Sequence, residues 1–353
     1  MRRVTMQQIA DQVGVSKFAV SQALSGKPGV GDETRAKIIQ TAAALGYNLS
    51  SQWAIKKQSG EPPIHERKTS AVSKNTVIVL LPNVRFQERG AVFWGRIIDG
   101  VSSELEKQGI RVMMVTENNA EGFIDIINPS AVLGLIGIGY IPSQLLLEIR
   151  KTAIPFVLID HEDPLIPCDS VFMNNYDCFR KLTTNLIALG HRRMRFIGNP
   201  TYSRSFHERW LGFRMVLEEN RLSVPSTDDP LLNLDENAQD VIEQTINQLI
   251  ETNELPQVFV CANDFYAHMT IRLLIMRGVR VPVDVSVTGF DNTQEYRDLP
   301  SLSTVEVHNE LMGIRAVEVL QKRLKNPDLP YEKTLIYGEV LFRQSVARCD
   351  IKE

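Results

Sequence analysis

From Thr76 onward the chain alternates short apolar runs with amphipathic stretches, and this alternation narrows the possible folds more than any other feature. TVIVLLP (76–82), VLGLIGIG (132–139) and PFVLID (155–160) are unbroken apolar runs, the pattern of parallel strands covered on both faces. IRVMMVTE (110–117) reads as a further strand. Helical spacing separates them: Ile97, Ile98, Val101 and Leu105 recur along FWGRIIDGVSSELEKQG, and Gly109 ends it. LLLEIRKT, FRKLTTNLIALGH, MRFIGN, RWLGFRMVLEEN, VIEQTINQLIET, PQVFVCAND, YAHMTIRLLIMRG and DVSVTGFD continue the series. LSTVEVHNELMGIRAVEVLQKRL then reads as crossover and helix, and TLIYGEVLFRQSVA as the final strand. Repeated β-α units build doubly wound parallel sheets, and the length of this region requires two of them.

Residues 4–47 have a different texture. Thr5 is a helix N-cap candidate, Ile9, Ala10 and Val13 follow at helical spacing, and Gly14 breaks the helix. Ser16 is placed to cap a second short helix carrying Ala19, Val20, Ala23 and Leu24 on one face. The short Gly14-Val15 turn sets the two helices at a steep angle, as in a helix-turn-helix. Lys17, Phe18, Ser21 and Gln22 remain on the outer face of the second helix. Lys17, Ser21 and Gln22 can hydrogen-bond to base edges or phosphates, and Phe18 can meet a thymine methyl. A third helix is expected from Asp32-Glu33, burying Ile38, Ile39, Ala42 and Leu45. A plain helical bundle with a solvated face is the competing reading, but it requires neither the tight turn nor the basic Arg2-Arg3 start.

Charge supports the division. The chain has 353 residues and a net charge of −3. Residues 1–75 hold 11 Lys/Arg against 5 Asp/Glu, and the remainder holds 28 against 37. A basic head on an acidic body suits phosphate contact by the head alone. Cys168, Cys178, Cys261 and Cys349 form no CxxC pair and no metal spacing, which points to a reduced, cytoplasmic setting with no metal and no cofactor. The N-terminus has no apolar run of the secretory kind and no 18-residue apolar segment occurs, so no membrane span is expected. Between head and body, residues 48–75 are rich in charge, Ser and Pro and read as a linker.

Ligands of doubly wound sheets bind outside the carboxyl ends of the strands. That rule selects Asp160 at the end of PFVLID, Asn263 and Asp264 at the end of VFVCAND, and Asp291 at the end of VSVTGFD. Planar polar groups of this kind pair with adjacent hydroxyls, and apolar faces meet the C–H surface of a sugar. Phe93 and Trp94 follow the first strand and can serve as such faces, with packing under the lobes as the alternative. An acid at a strand end also commonly caps the next helix, and this is the preferred role for Asp264. Phe290 reads as core, and His161 and His191 as isolated capping or solvated residues. An enzyme would need a nucleophile with its base or a defined carboxylate pair. Neither GxSxG nor a P-loop occurs, and the glycines of 134–139 lie inside a strand. No catalytic residue is therefore expected.

Val4-Thr5, Ile9-Ala10, Gly14-Val15-Ser16, Val20-Ser21, Leu24, Thr34-Arg35 and Leu45-Gly46-Tyr47 resemble, nearly position by position, the DNA-binding headpiece of the lactose-repressor (LacI/GalR) family. LGHRRMRFIGN, VFVCAND, VPVDVSVTGFDN and PSLSTVEV resemble blocks of its effector-binding core. The resemblance implies an all-α helix-turn-helix headpiece (1–47), a linker or hinge (48–75), and an α/β core (76–348) of two doubly wound parallel-sheet lobes, built like periplasmic binding proteins. Lobe 1 is expected at about 76–173 and 303–333, lobe 2 at about 174–302 and 334–348. Arg209 stands three residues before Gly212, where the family's R-x-x-G-F block has its ligand-contacting arginine, and Asp160, Asn263 and Asp291 match effector-contacting positions. Thr5, Ser16, Lys27 and Arg35 join the reading-helix residues as DNA contacts. The hinge departs from the family: Leu49, Ser50, Trp53 and Lys56 stand where it has Pro, Asn, Ala and the groove-wedging Leu. Trp53 and Ile55 are the substitute wedge or dimer contact, or else an anchor in a tether. The whole reads as a homodimeric regulator, a repressor by preference, on a near-palindromic DNA operator and controlled by a small sugar-like effector. The alternatives are a ligand that strengthens DNA binding, as in purine-sensing relatives, and a sugar-binding protein with a vestigial head.

Overall fold

A computed structural model describes residues 6–24, 31, 34, 37, 38, 41, 74–82, 91–120, 122, 123, 127–292 and 296–349. Two units make up the chain, Met1–Thr69 and Ser70–Glu353.

In the first unit, α1 (Met6–Val13) and α2 (Lys17–Leu24) form the expected helix pair. Gly14 adopts φ +75°, and the Val15 amide reaches back to the Ala10 carbonyl at 3.1 Å. A left-handed residue of this kind closes a helix at no steric cost only when it is glycine. Ser16 Oγ accepts from the Ala19 amide at 3.1 Å, the N-cap that the sequence predicts. Ile9, Ala10, Val20 and Ile38 are fully buried. Thr34, Lys37, Ile38 and Thr41 are helical, within the stretch expected to form the third helix. Thr5, Lys27, Arg35 and the linker with Trp53 and Ile55 lie outside the described residues.

The second unit holds a six-stranded, all-parallel sheet: β1 (Thr76–Leu80), β2 (Arg111–Val115), β3 (Val132–Ile138), β4 (Phe156–Ile159), β5 (Asp169–Met173) and β10 (Lys333–Ile336), in the order β10-β5-β4-β3-β1-β2. Period-2 alternation divides each central strand between two cores. Val77 and Val79 pack with Ile97 and Val101 of α3 (Ala91–Lys107) and with Met312, Ala316 and Leu320 of a helix over Asn309–Lys325. Ile78 and Leu80 pack the other way, with Leu145, Leu146 and Ile149 of α4 (Ser143–Lys151). Each fully buried side chain of this size contributes roughly 1.5–3 kcal/mol.

A second parallel sheet has the order β6 (Met194–Ile197), β7 (Val258–Cys261), β8 (Ser286–Thr288). It is wrapped in the same way. Val258 and Val260 join the core under α5 (Asn175–Ala188) and α6 (Arg204–Glu219), while Phe259 and Cys261 join that of α7 (Ala238–Glu251) and α8 (Asp264–Met276). A short antiparallel pair, β9 (Thr304–Glu306) with β11 (Glu339–Leu341), completes the unit. The expected architecture, a helix-turn-helix headpiece and an α/β core of two parallel sheets, is therefore present.

Details differ from the sequence reading. Asp169–Met173 is a fully buried strand that the sequence reading leaves unassigned, because acid, Ser and Met obscure its β character. The expected last strand is two strands in different sheets, turned apart at Gly338, where a Cβ would run into the Glu306 carbonyl. Helix α6 begins at Arg204 with Ser203 as its cap, its hydroxyl accepting from the Phe206 amide at 3.2 Å, so Arg209 stands in the second turn rather than at the helix entry.

Candidate functional site

Three of the five core residues selected from sequence meet around one guanidinium. Arg209, only 5% exposed, donates from Nε to Asn175 Oδ1 at 2.9 Å and from Nη1 to the Ala262 carbonyl at 2.7 Å. Its Nη2 faces Asp291 Oδ1 at 3.6 Å, an ion pair too long to be a hydrogen bond. Its Cζ lies 3.8 Å from the centre of the Phe290 ring, so that aromatic face is covered by the cation. Asp160 joins through Ser205, whose hydroxyl donates to Asp160 Oδ1. Ser205 precedes Arg209 by four residues, one helical turn, and so shares its face.

The local sequence explains this approach. Gly212 sits on α6 where a Cβ would collide with the Tyr176 carbonyl at the start of α5. Its missing side chain lets the two helices close, and closure brings Arg209 to Asn175. Gly289 does the same beside Asp264, whose carboxylate occupies the space a Cβ would take.

Both cleft aspartates have unusual backbones. Asp160 has φ +54°, Asp291 +119° and Asn292 +53°. Among the described residues, the other non-glycine positions with positive φ, Ala153, Arg221 and Asn253, lie two residues beyond helix ends, where a left-handed residue is routine. Asp160 and Asp291 follow strands instead, where such a conformation costs on the order of 1–3 kcal/mol and clusters at functional sites.

Electrostatics runs in the same direction. Burial pushes the Asp291 carboxyl well above the usual range; Arg209 opposes this, and Asp264 and Asp160 add to it. Burial also raises Asp160, against the Ser205 hydroxyl and Arg209. Asp291 Oδ1 is buried with no hydrogen-bond partner. A buried acceptor in that state is costly unless a donor arrives.

The remaining predicted positions divide. Asn263 is the N-cap of α8, its Oδ1 accepting from the Tyr266 amide at 3.0 Å, which leaves its amide nitrogen for other contacts. Asp264, the preferred cap from sequence, is buried in the first turn and accepts from Thr304 Oγ1 at 2.6 Å. Phe93 stacks edge-on with Trp94 at 4.9 Å, and both pack against the large core. His161 Nε2 lies 3.0 Å from the Ile141 carbonyl, and His191 Nε2 3.0 Å from that of Ala347. Burial lowers both histidine pKa values, so neither is a ready charge.

Sequence reasoning missed Asn175, Ser205 and an aromatic series at the carboxyl edge of the second sheet. Tyr202 and Phe206 have ring centres 5.0 Å apart, and Phe206 and Tyr266 6.4 Å. Helical spacing from Arg209 was a usable signal for Ser205. Asn175, which follows β5, carried none.

A cavity of about 510 Å³ lies elsewhere, bounded by Arg193, Met194, Arg195, Asp229 and Pro256. It opens at the amino ends of β6 and β7, away from the strand ends that carry ligand chemistry, and Arg195 there is already paired with Asp229 at 2.6 Å. Among the described residues no group of three His, Cys, Asp or Glu is placed to hold a metal. The four cysteines are free, and burial pushes the Cys168 thiol up to about 12.

On the headpiece, Ser16 and Lys17 are exposed at the start of α2. Phe18, Ser21 and Gln22 belong to the same helix, and their side chains lie outside the described residues.

A helix-turn-helix unit and a two-sheet body in one chain define a class: a DNA-binding head carried with a ligand-binding domain. Residues 5–49 match the family model of bacterial regulatory proteins, lacI family, and residues 183–346 match a periplasmic binding protein-like domain. The chain belongs to the lacI family of transcriptional regulators. It is 24% identical to the HTH-type transcriptional repressor PurR of Histophilus somni, over 97% of this chain and 98% of that one. It is 26% identical to the HTH-type transcriptional regulator MalR of Streptomyces coelicolor, over 96% and 95%. Among solved structures it resembles a complex of the transcriptional regulator CelR with cellobiose (TM-score 0.65, 22% identity, 97% of this chain and 100% of that one). It also resembles the lac repressor dimer bound to operator and the anti-inducer ONPF (TM-score 0.62, 21% identity, 98% and 100%).

Proposed function

We propose that this chain is a cytoplasmic, homodimeric repressor whose hold on a near-palindromic operator is set by a small sugar-like effector bound at Asp160, Arg209 and Asp291, with Asn263 contributing its amide nitrogen and Phe93 an apolar face. The observation that carries this reading is the buried Asp291 Oδ1, which has no hydrogen-bond partner, beside an arginine that the fold holds rigidly. That arrangement awaits a hydrogen-bond donor, and its strained strand-end backbone is of the kind that ligand sites retain. Cellobiose in the CelR complex and the operator under the lac repressor dimer support the same assignment. In the headpiece, Lys17, Phe18, Ser21 and Gln22 read bases, while Arg2, Arg3, Ser16, Lys27 and Arg35 contact the backbone and fix the register, with Thr5 a further DNA contact. Trp53 and Ile55 serve as a substitute wedge or dimer contact, or as an apolar anchor in a tether. In this reading the cleft is a binding site, with the Arg209 guanidinium engaged by Asn175, the Ala262 carbonyl and Asp291. No helix among the described residues is long and apolar enough to cross a membrane.

Selecting the preferred site from random DNA and titrating it with purified protein tests the head. The expected result is a two-fold-related site whose affinity falls steeply with salt. Binding that ignores sequence at every salt concentration would overturn the assignment.

A further inference from the structure

The charge balance around Arg209 bears on which effector the cleft admits, and the inference rests on the cleft being the effector site. Among the described residues, each of its cations is engaged by the chain itself. Arg209 uses Nε and Nη1 on Asn175 and the Ala262 carbonyl, and turns Nη2 to Asp291. Arg204, on the same helix, gives Nε and Nη2 to Glu208 at 2.7 and 2.6 Å and Nη1 to Glu162. Lys333 binds Glu162 as well, at 2.5 Å. Against these three cations stand Asp160, Glu162, Glu208, Asp264 and Asp291. Asp264 is tied to the same corner by its amide, which donates to the Phe290 carbonyl at 2.8 Å. What remains open is acceptor capacity: Asp291 Oδ1 lacks a donor. Arg209 Cζ lies 5.5 Å from the centre of the Phe206 ring, which forms an aromatic series with Tyr202 and Tyr266.

We propose that the cleft takes an uncharged polyhydroxyl ligand, a sugar without phosphate or carboxylate, whose hydroxyls donate to Asp160 and Asp291, and that it rejects the anionic form of the same sugar. A phosphate would face buried carboxylates at low effective dielectric, with no described guanidinium free to receive it. Burial is the first cause of the upward push on both aspartates, and neighbouring negative charge adds an excess to it, from Asp264 and Asp160 at Asp291 and from Glu208 at Asp160. A hydroxyl donor relieves that excess, and an anion adds to it.

The test uses the full-length protein and matched probes: ribose with ribose 5-phosphate, glucose with glucose 6-phosphate and glucuronate, and cellobiose and maltose as neutral disaccharides. Thermal shift and calorimetry are run on the native chain, on Arg209→Ala and on the near-isosteric Asp291→Asn. The expected result is that a neutral sugar raises the melting temperature and that anionic compounds bind at least about tenfold more weakly. That gap is expected to narrow in Asp291→Asn. A phosphorylated or carboxylated compound that binds more tightly than its neutral counterpart, and loses that binding in Arg209→Ala, overturns the charge inference and leaves the cleft as the site. A shift that survives intact in both variants places the ligand elsewhere and removes the cleft reading itself. A flat response to every probe contradicts both.

Discussion

Arg209 is the residue on which the site turns, because it joins Asn175, the Ala262 carbonyl and Asp291. Truncating one partner of a buried ion pair typically costs about 3–5 kcal/mol, so Arg209→Ala is expected to lower the melting temperature, abolish the effector response and leave headpiece binding to operator DNA in place. A native-strength response in that variant removes Arg209 from the pocket. Asp291 makes a pH prediction. Its folded-state pKa is raised, so the fold favours the protonated form. The stability this group contributes is full below the ordinary carboxylate range and is lost as pH rises through the raised value. Asp291→Asn is therefore expected to melt higher than the native chain at alkaline pH and to lose that advantage in acid. Melting curves against pH decide it, and a variant that melts lower throughout shows that pairing with Arg209 outweighs burial. Hydroxyl donors from a ligand lower both aspartate pKa values, so binding should release protons and tighten as pH rises. Calorimetry in two buffers of different ionisation enthalpy reads that release directly.

At the scale of elements, the close contact of α5 and α6 positions the site. Gly212→Ala forces a methyl against the Tyr176 carbonyl, and overpacking of this sort costs about 1–3 kcal/mol. The expected outcome is a destabilised core whose effector affinity falls further than its stability alone explains, as measured by denaturant titration alongside calorimetry. In the headpiece, Ser16→Ala removes the α2 cap and should cost about 1 kcal/mol, read as weaker operator binding at every sequence. Gln22→Ala should instead change which operator is preferred, and selection on random DNA that returns the same site would exclude it as a base reader. Much of this level was legible in the sequence. Unbroken apolar runs located the parallel strands, and Gly14 with Ser16 located the turn and cap. What stayed hidden depends on three-dimensional neighbours. Asp169–Met173 reads as polar because the partners that let Asp169 be buried, Arg323 and the Glu332 amide, lie 154 and 163 residues away. The cap at Asn263 and the bond from Thr304 to Asp264 likewise exchange the roles that composition assigns to that pair.

At the scale of the whole molecule, a DNA-reading head and a ligand-holding body are joined in one lacI-family chain. The strand-end rule selected Asp160 and Asp291, and the family block Arg209, and the fold brings these three together. The partners Asn175 and Ser205 were not found, since they join the site only through the packing of two helices. The effector acts through unequal affinity for two states of the protein, so occupancy of the body must change operator affinity by a measurable factor. The most direct measurement is an operator titration with the native chain and Arg209→Ala, each with and without the neutral sugar that stabilises the protein best. The account predicts a change in operator Kd of at least about tenfold in the native chain, and none in Arg209→Ala. An operator Kd that no stabilising ligand alters, or that changes equally in both proteins, would contradict it.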